Sequence, residues 1–446
     1  MKAKHLKTEG GHSCPPNGGL ENPPSVWDAA RIGDVTIRTQ QRNPGRDPEK
    51  RFTYVDVSSV SNTSFRITEP TVLPGNQAPS RARKVIRAGD VLFATVRPTL
   101  KRVALVPENL DEQIASTGFI VLRADASRLD SGYLYFRLLT DEFIQRMREL
   151  ERGASYPAVR DSDIGNEKIP LPPLPEQRKI AGVLGVVQRT IEQQERLLAL
   201  TAELKKALLH QLFTQGLRGE PQNQTDIGPV PQSWDMVSLG DVMSEDPKNG
   251  LYKHSSAYGS GTPILRINDF TNDGDIVNSA SNRVITDASE NRLYALRKDD
   301  IVTNRVNSLS HIGKTALIGE LPEPMVFESN MMRFRVDERR ALPCYIFRLL
   351  NSPLCKKQIV GNAKRAVAQS SINQGNLKAT LLPLPPVEVQ EEITEILETV
   401  VTKMSVHERK KQSLTALFRT LLHQLMTAQI RVHELDLSEL ETATMD

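Results

Sequence analysis

Cysteine is scarce in this chain: Cys14, Cys344 and Cys355 are the only three in 446 residues. They are too few and too scattered for a disulfide framework or a paired-cysteine metal knuckle. The eight histidines show no HxxxH or HExxH spacing, so the sequence offers no metal site. No run approaches the ~20 apolar residues that a membrane-spanning helix needs. Lys2, Lys4 and Lys7 are followed by no apolar stretch, which excludes a secretory signal and leaves the expectation of a cytoplasmic protein with no membrane partner. Net charge is nearly absent too, with 57 basic against 54 acidic residues giving +3. That balance excludes a histone-like polycation but not local basic patches.

Tryptophan is rarer still, and its two occurrences expose an internal repeat. Trp27-Asp28-Ala29-Ala30-Arg31-Ile32-Gly33-Asp34-Val35 matches Trp234-Asp235-Met236-Val237-Ser238-Leu239-Gly240-Asp241-Val242 at five of nine positions, at an offset of 207. Arg87-Ala88-Gly89-Asp90-Val91-Leu92 then aligns with Arg297-Lys298-Asp299-Asp300-Ile301-Val302, and Phe136-Arg137-Leu138-Leu139 with Phe347-Arg348-Leu349-Leu350. From Leu171-Pro172-Pro173 and Leu384-Pro385-Pro386 onward the offset holds at 213, through Leu208-Leu209-His210-Gln211-Leu212 and Leu421-Leu422-His423-Gln424-Leu425. One part of each repeat is fixed in length and the other tolerates insertions.

The tolerant part carries short β-branched and aromatic runs broken by Gly, Pro and Asn, with one helix expected near Gly132 to Glu149 and its counterpart near Cys344 to Gln358. It reads as a mixed α/β (α+β) domain. A proline hinge (Pro170, Pro172, Pro173, Pro175) ends the domain and opens a long helix. There Ile180, Leu184, Val187, Ile191, Gln194, Leu198, Thr201, Lys205, Leu208 and Leu212 alternate steps of four and three. The second copy repeats the register with Ile393, Leu397, Val400, Met404, His407, Lys411, Leu414, Phe418, Leu421 and Leu425. A sustained 3.5-residue period is a coiled-coil seam. The expected arrangement is antiparallel pairing of the two helices, which would relate the halves by a pseudo-twofold axis; the alternative is that each helix packs separately on its own domain, which would leave a long amphipathic helix with much exposed apolar surface.

Three catalytic signatures come close and fail. Gly313-Lys314-Thr315 resembles the end of a phosphate-binding loop, but Ser308 stands where its first glycine belongs, and the aligned Arg102-Val103-Ala104 continues as a strand. Asn22-Pro23-Pro24-Ser25 lacks the closing aromatic of an amino-methyltransferase motif, and no glycine-rich cofactor loop accompanies it. Glu203-Leu204-Lys205 has nuclease spacing but falls inside the heptad helix. A tandem of similar domains on fixed-length helices, with no catalytic constellation, reads as a non-catalytic recognition scaffold.

Local charge suggests what is recognised. Arg81, Arg83, Lys84, Arg87, Arg97, Lys101 and Arg102 face a single acid, Asp90, within one stretch. The second repeat gathers Arg333, Arg335, Arg339, Arg340, Lys356, Lys357, Lys364 and Arg365, with Arg305 and Lys314 in its strand region. Such groups suit phosphates and base edges. The DNA-contact candidates are Arg81, Arg83, Lys84, Arg97, Lys101, Arg102, Arg305, Lys314, Lys364 and Arg365. A helix of this length spans ~57 Å at ~1.5 Å per residue, against ~34 Å for a duplex turn. Two unlike domains held so far apart imply a bipartite, gapped and asymmetric DNA target.

Taken together, Ile169-Pro170-Leu171-Pro172-Pro173-Leu174-Pro175-Glu176-Gln177-Arg178-Lys179-Ile180, its second copy ending in Glu388-Val389-Gln390, and the heptads after each resemble the specificity subunit of type I restriction-modification systems. The second copy departs where Glu-Val-Gln replaces Pro-Glu-Gln. The resemblance covers Ser25 to Thr427 and implies a first target-recognition domain (25–170) with its spacer helix (171–215) and a second (233–383) with its own (384–428); composition marks a Gly/Pro-rich, disordered N-terminal tail (1–24), a Gly/Pro-rich linker (216–232) and an acidic C-terminal tail (429–446). It implies double-stranded DNA and two modification (methyltransferase) subunits as partners, joined by restriction subunits. It places S-adenosylmethionine, ATP and magnesium on those partners, with no cofactor or catalytic residue in this chain. The rival classes are half of a fused restriction-methylation enzyme, for which a methyltransferase domain is missing, and a coiled-coil protein–protein adaptor without DNA specificity. If the helices act as a ruler, four residues inserted within 181–211 change the gap of the methylated motif or abolish DNA binding; an unchanged gap refutes the ruler.

Overall fold

The computed structural model describes residues 27–277, 282–365 and 369–432. The expected tails, Cys14 and the Asn22 to Ser25 tetrapeptide therefore lie wholly or largely outside the described residues. The chain divides into two units: residues 1–196 with 409–446, and Leu197–Glu408. Each long helix, Leu174–Gln215 and Val387–Met426, contributes one stretch to each unit.

In the first unit an antiparallel sheet runs in the order Thr36–Ile37, Phe119–Ala124, Val91–Ala94, Val103–Leu105. A second sheet orders Thr71–Pro74, Arg51–Val55, Ile114–Ser116 and Ala82–Val85, and its central pair is parallel. Val91 to Ala94 are buried on both faces, which explains their unbroken apolar run. Asp28–Arg31 pairs with Lys168–Leu171, so the strand after Trp27 closes the domain against its proline hinge, with Ala29 opposite Pro170. Proline is tolerated there because a two-stranded ribbon has an outer edge that needs no donor.

The single helix expected near Gly132 to Glu149 is two, Ser131–Leu139 and Asp141–Leu150. Thr140 interrupts them in an extended conformation, and its hydroxyl accepts the Phe143 N–H at 3.3 Å. Asp141 and Glu142 then occupy the first turn, where the helix dipole favours acids. In the second unit the helix expected near Cys344 to Gln358 breaks likewise into Pro343–Asn351 and Pro353–Gly361, because Ser352 and Pro353 form a helix start.

The second unit repeats the plan with variation. Its main sheet orders Met243–Asn249, Met331–Val336, Ile301–Asn304 and Thr315–Leu317. A three-stranded sheet orders Arg283–Val284, Tyr258–Leu265 and Val326–Phe327. Asp235–Ser238 pairs with Leu381–Leu384 as the closing ribbon. The stretch read as a linker is not featureless: Gln222–Thr225 and Gly228–Pro231 form a hairpin, and Val230 is buried in this unit's core.

The helices are part of both cores. In the first unit Ile180, Leu184 and Val187 are buried with Phe418, Leu422 and Leu425, and Phe136 meets Phe418 at 6.0 Å between ring centroids. Lys411 pairs with Glu195 and Arg431 with Glu176, so the two helical stretches run antiparallel here. In the second unit Leu212 and Phe213 share a core with Ile393 and Leu397, and Phe213 packs on Tyr345 at 5.6 Å. Ile191, Leu198, Leu208, Met404, Leu414 and Leu421 are half-buried, as is Lys411, while Val400 is buried.

One clamp recurs at the head of both long helices. Gln177 is fully buried; its carbonyl accepts the Asp130 N–H at 2.8 Å, and its amide donates to the carbonyls of Arg128 and Pro172. Gln390, also fully buried, accepts the Leu342 N–H at 2.9 Å and donates to Arg340 and Pro385. Beside them Tyr133 and Tyr345 donate to the hinge carbonyls of Pro170 and Pro383 at 2.9 Å each. Burial pushes both phenols far above the usual tyrosine range, which keeps them protonated donors. Replacing Gln177 or Gln390 by alanine takes the side-chain partner from one part-buried N–H, one part-buried carbonyl and one buried hinge carbonyl. The expected loss is about 2–4 kcal/mol in the affected unit, measurable by urea denaturation; a change within error refutes the clamp's importance.

Candidate nucleic-acid interface

In both units the central strand of the main sheet leaves into a loop that a second loop braces. In the first unit Val96 bridges Ala158, Arg152 bridges Ala158, and the Arg97 N–H donates to the Pro157 carbonyl at 2.7 Å. In the second, Val306–Asn307 pairs with Ser370–Ser371, and Lys364 bridges Ser371. The anchors correspond as well: Val159 N–H donates to Thr95, and Ile372 N–H to Arg305, at 2.9 Å each. Each domain thus presents a braced double loop at one end of its sheet.

The first double loop is strained. Arg97 and Lys101 flank the turn Pro98–Leu100 and both adopt left-handed conformations, with φ of 49° and 54°. Non-glycine residues rarely do so, and such strain persists where the surroundings enforce it. Arg97 is exposed and lies over the ring of Tyr156, 5.7 Å from its centroid, and Tyr156 itself is 75% exposed. An exposed aromatic and a guanidinium on a braced loop can stack on bases and meet phosphates. Tyr156 was not among the sequence candidates; its place between Ser155 and Pro157, beyond Gly153, was the available signal. In the second double loop Lys364 and Arg365 are exposed, and Ser308, Ser310 and the His311 imidazole hydrogen-bond to one another.

The other candidates divide by burial. Arg81 is exposed away from these contacts. Arg83 turns back onto the carbonyls of Ala82 and Pro79. Lys101 pairs with Asp141. Arg102 ties together the carbonyls of Val57, Ser58 and Val60, and Arg305 holds the Ser329 carbonyl at 3.2 Å. Two candidates must be withdrawn. Lys84 is only 8% exposed and pairs with Asp161 at 2.7 Å. Lys314 is buried, donates to the carbonyls of Ile267 and Phe270 at 2.7 Å each, and lies over the Phe270 ring. Burial holds its ammonium below the ordinary lysine range. The same geometry disposes of the phosphate loop, because Lys314 leads directly into the strand Thr315–Leu317. The double loops bring together Arg97 and Lys101 in one unit, and Arg305, Lys364 and Arg365 in the other.

Among the described residues no group of three or more His, Cys, Asp or Glu side chains could hold a metal ion. Cys344 and Cys355 are free thiols, and burial pushes the Cys355 thiol well up. No helix of the described residues is long and apolar enough to cross a membrane. The helix-borne Lys205 pairs with Asp273 at 2.8 Å instead of joining Glu203 in a nuclease site.

Comparison with known proteins gives this architecture its family. The model of the type I restriction modification DNA specificity domain matches twice, over residues 24–202 and 231–416. The chain is 23% identical over 426 residues to the type I restriction enzyme MjaVIII specificity subunit of Methanocaldococcus jannaschii, covering 93% of this chain and 95% of that one. It is 21% identical to the EcoKI specificity subunit of Escherichia coli K12, covering 92% and 89%. A structure solved in work on the assembly and conformational transition of the type I R-M system aligns with a TM-score of 0.57 at 28% identity, over 91% of this chain and 99% of that one. A match to two tandem DNA specificity domains leaves the adaptor reading without support. With the family model matched over most of its length, in the two copies that the repeat announces, this chain belongs to the family of type I restriction-modification DNA specificity subunits.

Proposed function

We propose that the two units read the two halves of a gapped, asymmetric duplex DNA site and direct its adenine methylation by partner subunits. The observation that carries this reading is the braced double loop: the same backbone device occurs in both units, but it presents Arg97, Lys101 and Tyr156 in one and Lys364 and Arg365 in the other. A shared device with different side chains suits two different half-sites, because bases are distinguished by the donors and acceptors offered to them. Residues 25–170 and 233–383 act as the recognition domains, and 171–215 and 384–428 as spacers on which two modification subunits dock. Restriction subunits join that assembly, which works in the cytoplasm. The chain itself is non-catalytic and carries no cofactor; S-adenosylmethionine, ATP and magnesium belong to the partners.

Two measurements test the reading. Mapping methylated adenines in cells with and without this chain is expected to show the loss of one gapped, two-part motif. An unchanged methylome in the presence of an active modification partner overturns it. Changing Lys364 and Arg365 together to alanine is expected to relax or weaken the selection of one half-site, by about 1–3 kcal/mol for each base no longer read, while the other half-site is retained. Equal losses at both halves, in the same methylation assay, contradict the assignment of one unit to one half-site.

A further inference from the structure

The second unit holds a cationic cavity that the double loop does not use. It measures about 260 Å³ and is bordered by Lys248, Arg292, Arg297, Arg333, Arg335 and the single carboxylate Glu245. Strand neighbours account for part of this charge. Arg335 pairs with Glu245 at 2.7 Å and with Asp300, which is fully buried behind it. Arg333 is 7% exposed; it donates to the Ala295 carbonyl at 2.7 Å and only approaches Glu245, at 3.5 Å, and Asp300, at 3.9 Å. Its Nε–H is buried without a hydrogen-bond partner. Lys248, Arg292 and Arg297 are exposed at the rim, and none has a side-chain ion pair among the described residues.

The first unit neutralises the corresponding place. Arg87, which aligns with Arg297, pairs with Glu112 at 2.6 Å. Asp90 takes both hydrogen bonds from Arg123, the counterpart of Arg335, and Val121 occupies the strand position of Arg333. The fold therefore does not require this cluster of cations. Like charges gathered around a concavity repel one another, and a bound anion relieves that repulsion.

We infer that this cavity is an oxyanion site that receives one backbone phosphate of the DNA, anchoring the second unit independently of the bases it reads. The inference rests on the DNA-reading function proposed above. A phosphate contact positions the protein and carries no sequence information of its own. Removing it weakens binding to every sequence alike and lowers the salt dependence, whereas removing a base-reading group changes which sequence is chosen.

The test uses the full chain assembled with its modification subunits, comparing wild type with Lys248→Ala/Arg292→Ala and with Arg297→Ala. Lys298→Ala, at an exposed residue paired with Glu320 outside the cavity, serves as the control. DNA affinity is measured across a salt series on cognate and scrambled duplexes. The cavity variants are expected to bind both duplexes more weakly by the same factor, with a log–log salt slope shallower by about 0.9 for the one phosphate no longer neutralised; the control is expected to match wild type. An unchanged slope and affinity, or a loss confined to the cognate duplex, overturns the inference. Titration with inorganic phosphate, read as a thermal shift, separates the two sources of the anion: stabilisation of wild type but not of the variants, with DNA binding unaffected, overturns the DNA assignment in favour of a free phosphate. If the wild-type complex selects no DNA sequence, the proposed function itself fails. The uniform loss on both duplexes still decides whether the cavity holds a phosphate.

Discussion

Everything this chain is proposed to do depends on a buried carboxamide. A recognition domain can be positioned by a helix only if the joint between them does not swing, and the hinge between them is a run of prolines with few donors to offer. Gln177 and Gln390 solve this by binding three backbone groups at once: one N–H at the start of the domain's paired helices, one carbonyl just before it, and one carbonyl of the hinge. A carboxamide offers an acceptor and two donors in one plane, which a carboxylate or an ammonium does not. The tyrosine hydroxyls on Pro170 and Pro383 secure the hinge from the other side.

Charge behaves differently inside each domain and on its loops. Asp90 and Asp300 are buried and fully engaged: each accepts the N–H of the arginine three residues before it and pairs with an arginine on the neighbouring strand. The hydrogen bond that each guanidinium donates to its aspartate raises the pKa of Arg123 and of Arg335 above the ordinary arginine value. At the double loops Arg97, Lys364 and Arg365 are exposed and face solvent. The sequence-level charge count mixes these populations, which is why a net +3 conveys so little.

The parts legible in sequence are those governed by local rules. The hinge, the start of each long helix and the heptad register follow from proline chemistry and periodicity, and the repeat alignment marks corresponding joints. The parallel pairing of Arg51–Val55 with Ile114–Ser116 was not legible, because it joins segments some sixty residues apart with no local signal. Nor was the fate of individual cations: Lys84 and Lys101 sit in similar basic stretches, yet one is buried against Asp161 and the other lies in a strained turn. The split of each expected single helix was readable in hindsight from Thr140-Asp141-Glu142 and from Ser352-Pro353, local helix starts masked by an uninterrupted apolar pattern.

The assignment of helix stretches to units has a consequence for synthesis. The core of the first unit includes Phe418, Leu422, Leu425 and Val432 alongside Ile180 and Leu184, and Trp27 and Glu176 both meet Arg431. Those partners leave the ribosome only after the whole second unit has been translated. The first-made recognition domain must therefore wait with part of its apolar surface uncovered, and such surface is where aggregation or chaperone capture begins. The unit that emerges first is the last to be completed.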